Sequence, residues 1–258
     1  MVLPLQGTSL EVVRVAAIAD LHYGRYPQGT FPPLLSHLAS LADVLVLCGD
    51  LTDHGQMPEA RAFAKELQQN VKIPTVAVFG NHDYESGHAD EIKELLRETG
   101  THVLDGDAVV VHGVGCAGVK GFAGGFGPRA LGSWGEPMIK QFVQEAVNEA
   151  LKLEAALARL KTQDRIAVLH YSPVQSTVQG EPEDIYPFLG SSRLEEPLIR
   201  YKVTAALHGH AHHGQPEGKT AIGAPVYNVS LPLLQRISPD KTYRLLELHP
   251  PHESSEPV

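Results

Sequence analysis

The chain has 258 residues, of which 43% are hydrophobic and 20% are charged, so it is long enough to bury one large core or two modest ones. Thirty acidic residues against 21 basic ones give a formal charge of −9. Because no run of Lys or Arg stands out, the composition argues against an extended nucleic-acid-binding surface.

The sequence also bears on domain organisation and location. We expect a single domain over residues 1–249 and a flexible tail over residues 250–258, which is rich in Pro, Glu and Ser. Two cysteines are too few for a disulfide framework and favour a reducing compartment. The N-terminal segment has no basic region and no apolar run long enough to span a bilayer. These features predict a cytoplasmic protein without a membrane span.

Short apolar runs alternate with segments of helical spacing along the chain, which predicts an α/β fold. The predicted strands are "VVRVAAIAD", "DVLVLCGD", "TVAVFGN", "RIAVLH" and "VTAALHGH". Residues 57–69 and 89–98 and a long segment that begins near Pro137 are predicted helices. The apolar residues of the long segment, from Ile139 to Leu160, form one stripe that we expect to face the core.

Each of the five predicted strands ends in a residue that can bind a metal ion. These residues are Asp20, Asp50, Asn81, His170 and His210. A single polar residue at a strand end is more often a cap or a turn former. Because sites in α/β folds form beyond the carboxyl ends of the strands, five such residues together predict one metal site.

Spacing adds a second argument, which centres on the segment "ALHGHAHHG" with its four histidines in a window of six residues. Asp20 and His22 are two residues apart, and so are His210 and His212. In an extended segment such pairs lie on one face, about 7 Å apart at the base. Each pair can therefore bind one ion or reach two neighbouring ions. Gly209, with Ala211, leaves room for the backbone to approach them.

In chain order the motifs are Asp20-x-His22, Gly49-Asp50-x-x-Asp53, Gly80-Asn81-His82-Asp83, a lone His170, and Gly209-His210-x-His212. From about residue 12 to residue 230, this set closely resembles the calcineurin-like metallophosphoesterases, and most of all their compact bacterial cyclic-nucleotide-type phosphodiesterases. The resemblance implies an α/β fold built as a two-sheet β sandwich flanked by helices. It also implies two metal ions at the edge that carries the loops.

The resemblance assigns a role to each matching residue. The first metal would be held by Asp20, His22, Asp50 and His212. The second would be held by Asp50, Asn81, His170 and His210, which makes Asp50 the bridge. His82 would be the catalytic histidine, oriented by Asp83. Imidazole, carboxylate and amide ligands suit Mn, Fe or Zn, and a hydroxide bound to both metals would attack the phosphorus.

Other polar residues near the motifs have less specific interpretations. We expect His208 to be a core or supporting histidine, and His213 to be exposed or to line the pocket. His54 fits a surface loop somewhat better than a substrate contact. Asp53 either supports a ligand or caps the turn that follows it.

Two irregular segments bear on the substrate. Residues 113–137 are rich in glycine, and their latter part is either a tolerated surface loop or a mobile rim over the metals. Residues 172–190 are candidates for the opposite wall. Aromatic and basic side chains available to contact substrate are Phe122, Phe126, Arg129, Trp134, Tyr186 and Phe188.

Neither irregular segment is long enough to be a cap domain, so we expect an open pocket. An open pocket favours a small phosphodiester substrate, with nucleotides among the candidates. Phosphomonoesters, nucleotide pyrophosphates and lipid head groups remain alternatives, and a catalytically silent binding scaffold of the same fold is a less favoured one. The sequence does not indicate the oligomeric state.

Overall fold

The computed structural model describes residues 12–250, which form eleven strands and seven α-helices. The strands are β1 Val13–Ile18, β2 Val44–Cys48, β3 Thr75–Val78, β4 Thr101–Val103, β5 Asp107–Val111, β6 Val114–Gly118, β7 Arg165–Val168, β8 Ala205–His208, β9 Glu217–Lys219, β10 Pro225–Asn228 and β11 Arg244–Leu248. The helices are α1 Pro32–Leu41, α2 Met57–Asn70, α3 Ala89–Glu98, α4 Pro137–Ala158, α5 Tyr186–Leu189, α6 Glu195–Arg200 and α7 Leu231–Ile237.

The strands form two mixed sheets. In the first sheet the order is β11-β1-β2-β3-β4, with β1 to β4 parallel and β11 antiparallel at the edge. In the second the order is β5-β6-β7-β8-β10-β9, with four parallel central strands and antiparallel strands at both edges. All five predicted strands are present, as β1, β2, β3, β7 and β8.

The two sheets pack face to face. Val46 and Val76 of the first sheet share an apolar cluster with Cys116, Ile166 and Leu207 of the second. Helices α1 to α3 cover the outer face of the first sheet, and α4 and α6 cover the outer face of the second. The predicted sandwich flanked by helices is therefore confirmed.

The predicted helices are present with small differences. Helix α3 spans the predicted residues 89–98, α2 extends one residue beyond its predicted end, and α4 begins at the predicted Pro137. Ile139, which we expected in the core, is 41% exposed because the first turn of α4 lies outside its buried face, which begins at Val143. The same buried face includes a charged residue, Glu149, that the apolar pattern did not reveal.

The parallel strands direct the predicted ligands to one edge of the sandwich. A predicted ligand stands two residues beyond the end of β1, β2, β7 and β8, and Asn81 stands three residues beyond β3. No helix within residues 12–250 is long and apolar enough to cross a membrane. The predicted tail lies outside the described residues, apart from Pro250.

Candidate metal centre

The predicted ligands form two groups of side chains. In the first group, Asp20, His22 and His212 each offer a ligand atom, and these atoms lie within 4.8 Å of one another. In the second group, the same holds for Asp50, His170 and His210. His210 and His212 therefore serve different groups, although only one residue separates them.

Asp50 lies between the two groups. Its Oδ2 is 3.8 Å from His22 Nε2 in the first group, and its Oδ1 is 3.4 Å from His170 Nε2 in the second. The amide oxygen of Asn81 lies 3.0 Å from the same His170 nitrogen, which places Asn81 in the second group. One carboxylate oxygen thus faces each group, as a bridging ligand requires.

The donor set and its burial fit divalent metal ions. Asp20, His22 and Asp50 are each 1% exposed. Both ring nitrogens of His22 are buried without a hydrogen bond, an arrangement that costs about 1–3 kcal/mol for each such group unless another ligand compensates it. A metal ion at His22 Nε2 would compensate one of them. Carboxylate, imidazole and amide ligands suit Mn, Fe or Zn without distinguishing among these metals.

Backbone carbonyl groups fix the orientation of the second group's histidines. His170 Nδ1 donates to the Cys48 carbonyl oxygen at 3.0 Å, and His210 Nε2 donates to the Phe188 carbonyl oxygen at 3.1 Å. Each ring therefore keeps its other nitrogen, without a proton, for a metal ion. The Phe188 contact places the segment 172–190 beside the site, as predicted.

In the first group, a carboxylate instead of a backbone carbonyl group lies beside the histidine ring. Asp53 Oδ1 lies 3.3 Å from His22 Nδ1 and 2.7 Å from Arg25 Nη2. Of the two interpretations of Asp53, the structure thus favours support of a ligand. Arg25, whose side chain is 43% exposed, has no signature in the motif spacing and was not predicted.

Burial keeps three of the ligand histidines neutral. It lowers the pKa of His22 to about 4, that of His170 to about 4 and that of His210 to about 3. Neutral imidazole is the form that binds a metal ion. Burial also lowers the pKa of His212, but the hydrogen bond with Asp20 and the charges of Asp20 and Glu181 together outweigh this, and the net direction is upward.

The two ligand carboxylates are shifted in opposite directions. Burial alone would raise the pKa of Asp20, but the hydrogen bond from His212 and the surrounding imidazoles bring it below its usual range. Burial raises the pKa of Asp50 well above its usual range, and the charges of Asp20 and Asp83 raise it further. Nearby buried carboxylates oppose each other's ionisation, which positive charge at this position would relieve.

Strained backbone is concentrated at the site. Within residues 12–250, six residues other than glycine have positive φ, and four of them are predicted ligands: Asp20 (60°), His22 (44°), Asp50 (48°) and His210 (70°). Such conformations persist only where the surrounding structure holds them, and they cluster at functional sites. The pairs Asp20–His22 and His210–His212 are therefore not extended, contrary to the prediction. Left-handed turns after the strands bring them into place.

Two glycines allow the backbone to approach the ligands. A Cβ atom on Gly209 would lie 2.6 Å from Asp20 Oδ2, and one on Gly80 would lie 2.7 Å from His170 Cε1 and still closer to Asp50 Oδ1. The expectation for Gly209 is thus confirmed. Ala211 instead packs in a small apolar cluster with Phe126, so its size serves packing.

His82 lies beside both groups. Its ring centroid is 4.6 Å from that of His22, and its backbone N–H donates to Asp50 Oδ1 at 2.9 Å. His82 Nδ1 donates to the Asp53 carbonyl oxygen at 2.6 Å. In the neutral ring this leaves Nε2 without a proton, and in the protonated ring Nε2 carries one as well. The side chain is 28% exposed, so substrate can reach it.

Asp83 does not have the predicted role of orienting His82. Its buried carboxylate accepts hydrogen bonds from the backbone amides of Leu51, Thr52 and Gly80 and from the Thr52 hydroxyl. It thus ties the loop after β2 to the loop after β3. The cause is the short 3₁₀ helix His82–Tyr84, in which successive side chains point in different directions.

The remaining histidines are distributed largely as expected. His208 is fully buried, and its Nε2 lies 2.8 Å from the Thr177 hydroxyl, which makes it a core residue. His213 is exposed and its Nδ1 contacts Arg236 at 2.6 Å. His54 is exposed, 6.5 Å from the His82 ring and 3.2 Å from Glu85, so it stands at the rim of the site.

The glycine-rich segment contains both packed and exposed parts. It includes strand β6, and beyond it Phe126 is buried, so we correct the prediction that Phe126 is available to substrate. Phe122 packs on Tyr171, and Arg129 forms an exposed ion pair with Glu183. The exposed part is residues 127–136, which include Trp134 at 71% exposure.

Sequence reasoning missed Lys120 at this edge. Lys120 stands two residues beyond the end of β6, the strand next to β7, and so occupies the same kind of position as the ligands. The signal was present in the apolar run "VGCAGVK", which also ends in a polar residue. The many glycines of that segment obscured the strand.

Comparisons with known proteins agree with this geometry. A profile described as calcineurin-like phosphoesterase matches residues 13–214. No curated protein matches in sequence. A phosphopantetheinyl hydrolase from Mycobacterium tuberculosis has a similar structure, with a TM-score of 0.67, 17% identity, and coverage of 90% of this chain and 95% of that one.

Two further solved structures are similar. A protein of Thermus thermophilus gives a TM-score of 0.50 at 17% identity, with coverage of 92% of this chain and 99% of that one. A Staphylococcus aureus protein assigned as a 5′-nucleotidase gives 0.52 at 12% identity, with coverage of 84% of this chain and 48% of that one. At these identities the similarity shows the fold alone. The profile match extends over most of the chain, and the chain therefore belongs to the calcineurin-like phosphoesterase family of metal-dependent hydrolases.

Proposed function

We propose that this protein is a phosphodiesterase that uses two metal ions, held by the two groups of ligands that Asp50 joins. The observation that carries the proposal is the position of Asp50, with one oxygen toward His22 and the other toward His170. Metal ions held by these residues would neutralise the phosphoryl oxygens and would supply a nucleophile by lowering the pKa of water. Mn, Fe and Zn are the metals that we propose.

The protein's own residues orient these ligands and keep water away from most of them. Asp20, His22, Asp50 and His170 are almost completely buried. Their burial strengthens electrostatic contacts, because the local dielectric constant is lower than that of water. The fixed carbonyl partners of the second group reduce the reorganisation that is needed when charge develops.

We propose that His82 assists the departure of the leaving group. Its Nδ1 is held by the Asp53 carbonyl oxygen, so Nε2 is the atom that gives a proton to the departing oxygen or stabilises its charge. The partial exposure of the ring allows access from solvent. Asp83 acts on this step only indirectly, since it joins the loops that carry Asp50 and His82.

The preference for diesters is supported by the rim of the site. Phe188 is 57% exposed, and its carbonyl group contacts His210, so an aromatic surface is available for a second ester group. One structural neighbour is named a phosphopantetheinyl hydrolase, and another is assigned as a 5′-nucleotidase. The second name keeps phosphomonoesters as an alternative for the same site.

The test compares bis(p-nitrophenyl) phosphate with p-nitrophenyl phosphate, with and without added Mn. We expect Mn-dependent hydrolysis with the diester as the better substrate, and its loss in Asp50→Asn. Faster hydrolysis of the monoester would favour the alternative. Failure of the Mn-loaded protein to hydrolyse either ester would favour the binding scaffold.

We also propose that residues 1–249 form a single domain and that the protein is cytoplasmic. The apolar cluster shared by the two sheets supports the first statement. Cys48 and Cys116 are both free and buried, which suits a reducing compartment.

A further inference from the structure

Lys120 lies at the edge of the sandwich that carries the metal centre. Its carbonyl oxygen accepts hydrogen bonds from the backbone amides of His170 at 3.0 Å and Tyr171 at 3.1 Å. The backbone at Lys120 is therefore fixed directly to the segment that supplies a ligand. Glu149 adds to this, because its buried Oε2 accepts from the Gly121 amide at 2.8 Å.

The ammonium group of Lys120 is surrounded by aromatic rings. Its Nζ lies 4.9 Å from the ring centroid of Phe122, 5.2 Å from that of Tyr171 and 5.8 Å from that of Tyr84. It donates one hydrogen bond, to the Gly121 carbonyl oxygen at 2.7 Å. The rings stabilise a cation through their faces but leave its charge in place.

Two of the acidic groups near Lys120 pair with another lysine. Glu149 Oε1 pairs with Lys152 Nζ at 2.7 Å, and Asp105 Oδ1 pairs with the same nitrogen at 3.2 Å. Throughout residues 12–250, no carboxylate oxygen lies within 4.0 Å of Lys120 Nζ. Burying a cation without a counterion costs free energy. The presence of such a cation beside the metal centre points to an anion that binds there during function.

The position of the ammonium group relative to the metal centre limits what that anion is. The Tyr171 ring, which contacts Lys120 on one side, lies 4.5 Å from the His210 ring and 5.5 Å from the His170 ring. Lys120 also lines a surface cleft with Tyr84, which follows the His82–Asp83 pair, and with the charged side chains of Lys93, Asp90 and Asp105. The cation therefore stands about one aromatic ring away from the second group of ligands and is open to solvent.

We propose that Lys120 binds a second anionic group of the substrate, a phosphoryl or carboxylate group that lies about one ring beyond the phosphoester that is cleaved. This inference rests on the proposed function and adds a substrate class to it: phosphoesters that carry a second negative charge. The aromatic rings beside the ammonium group suit an organic group between the two anions. Lys120 is thus a specificity residue, and Glu149 positions it through Gly121.

The experiment measures inhibition of Mn-dependent bis(p-nitrophenyl) phosphate hydrolysis by matched pairs of phosphonates. Phosphonoacetate, 3-phosphonopropionate and 4-phosphonobutyrate carry a second anion, whereas ethyl-, propyl- and butylphosphonate have similar lengths without it. We expect one carboxylated compound to bind about 10- to 100-fold more tightly than its partner, as a charged hydrogen bond in a partly buried site does. The series of lengths removes the need to know the spacing in advance.

Variants then test whether Lys120 causes the preference for the carboxylated compound. Lys120→Met should reduce the ratio within each pair to near one, Lys120→Arg should keep most of it, and Lys65→Met should leave it unchanged. Lys65 is an exposed residue of α2, so its variant controls for net charge. Lys120→Gln replaces Lys120→Met if that variant does not fold. Because the ratio is taken within one protein, a general loss of activity does not affect it.

Two results would overturn the inference: a ratio near one at every length in the unchanged protein, or a ratio that persists without the lysine. Absence of any hydrolysis would instead count against the proposed function. In that case calorimetric binding of the same phosphonate pairs to the Mn-loaded protein decides the role of Lys120 by the same ratio.

Discussion

The two groups of proposed metal ligands differ in how the protein holds them. In the second group, the rings of His170 and His210 are each fixed by a backbone carbonyl group, that of Cys48 and that of Phe188. Cys48 belongs to strand β2, and the carbonyl groups on either side of Phe188 accept from the Gly124 and Ser172 amides, so both backbone groups are held in place. The ligands of this group are therefore preorganised for a metal ion.

The carboxylate of Asp20 in the first group accepts from the His210 backbone amide, but the histidines of that group rely on side chains. His22 faces the carboxylate of Asp53, and His212 contacts Asp20, which is itself a proposed ligand. The side chain of His212 is 29% exposed, whereas that of His170 is fully buried. We infer that the histidines of the first group are less preorganised than those of the second, so the two ions should differ in affinity. The second ion should be the tighter one.

The largest effect should come from Asp50, which belongs to both groups. Asp50→Asn keeps the shape of the side chain but removes the charge, so both ions should be weakened and activity on the diester should be lost. The effect on metal affinity should exceed the 10- to 100-fold loss that is typical of residues behind the ligands. Elemental analysis measures it.

Asp43 provides a control at the opposite end of the same strand, β2. It lies just before β2, whereas Asp50 follows that strand, and its carboxylate pairs with Arg14 far from the ligands. Asp43→Asn should keep two ions for each chain. If Asp50→Asn also kept two ions and full activity, the bridging role of Asp50 would be wrong. The two groups would then not be joined by a shared ligand.

His82 also offers a ligand atom within 4.8 Å of those of His22 and Asp50. We assign it to the leaving group instead, so its removal should leave both ions bound. General acid catalysis contributes about 10²- to 10⁴-fold, and His82→Ala should lose that much on esters with poor leaving groups. The loss should be much smaller on p-nitrophenyl esters, whose leaving group departs with little help. Equal losses on both kinds of ester, together with a missing ion, would show that His82 only supports the ligands.

Much of this arrangement was predictable from the sequence, because apolar runs and the residues that end them are local features. The strands that precede Asp20, Asp50 and His170 follow from such runs, and helix α3 follows from its helical spacing. The convergence of the ligands follows from the rule that parallel strands end at a common edge. The family resemblance then supplied the division into two groups.

The contacts that distinguish the two groups were not predictable. The carbonyl groups of Cys48 and Phe188 are backbone atoms, which every residue has, so no sequence pattern marks them. The left-handed backbone at Asp20 and His210 has no sequence signal either, since such conformations are usually marked by glycine. Glu149 was hidden because one charged residue in an apolar stripe leaves the helical period unchanged.

Substituting two glycines tests the groups separately. Gly209→Ala places a methyl group against Asp20 in the first group, and Gly80→Ala places one against Asp50 and His170. A misplacement of about 1 Å costs about 100-fold in rate, so both variants should lose activity to that extent. Gly209→Ala should lose only the weaker ion, whereas Gly80→Ala should weaken both. Identical metal contents in the two variants would contradict the division into groups.

The smallest effect should come from Asp53, and it bears most directly on the difference between the groups. Asp53→Asn keeps an oxygen near His22 Nδ1 but removes the charge that faces that ring. Because residues behind a ligand contribute about 10- to 100-fold to metal affinity, the affinity for the first ion should fall by that factor while the affinity for the second is unchanged.

Graded dialysis against a chelator, followed by elemental analysis, measures the release of each ion. The unchanged protein should release one ion before the other, and the variant should widen the gap. Release of both ions in a single step from the unchanged protein would show that backbone carbonyl groups and carboxylates hold these histidines equally well.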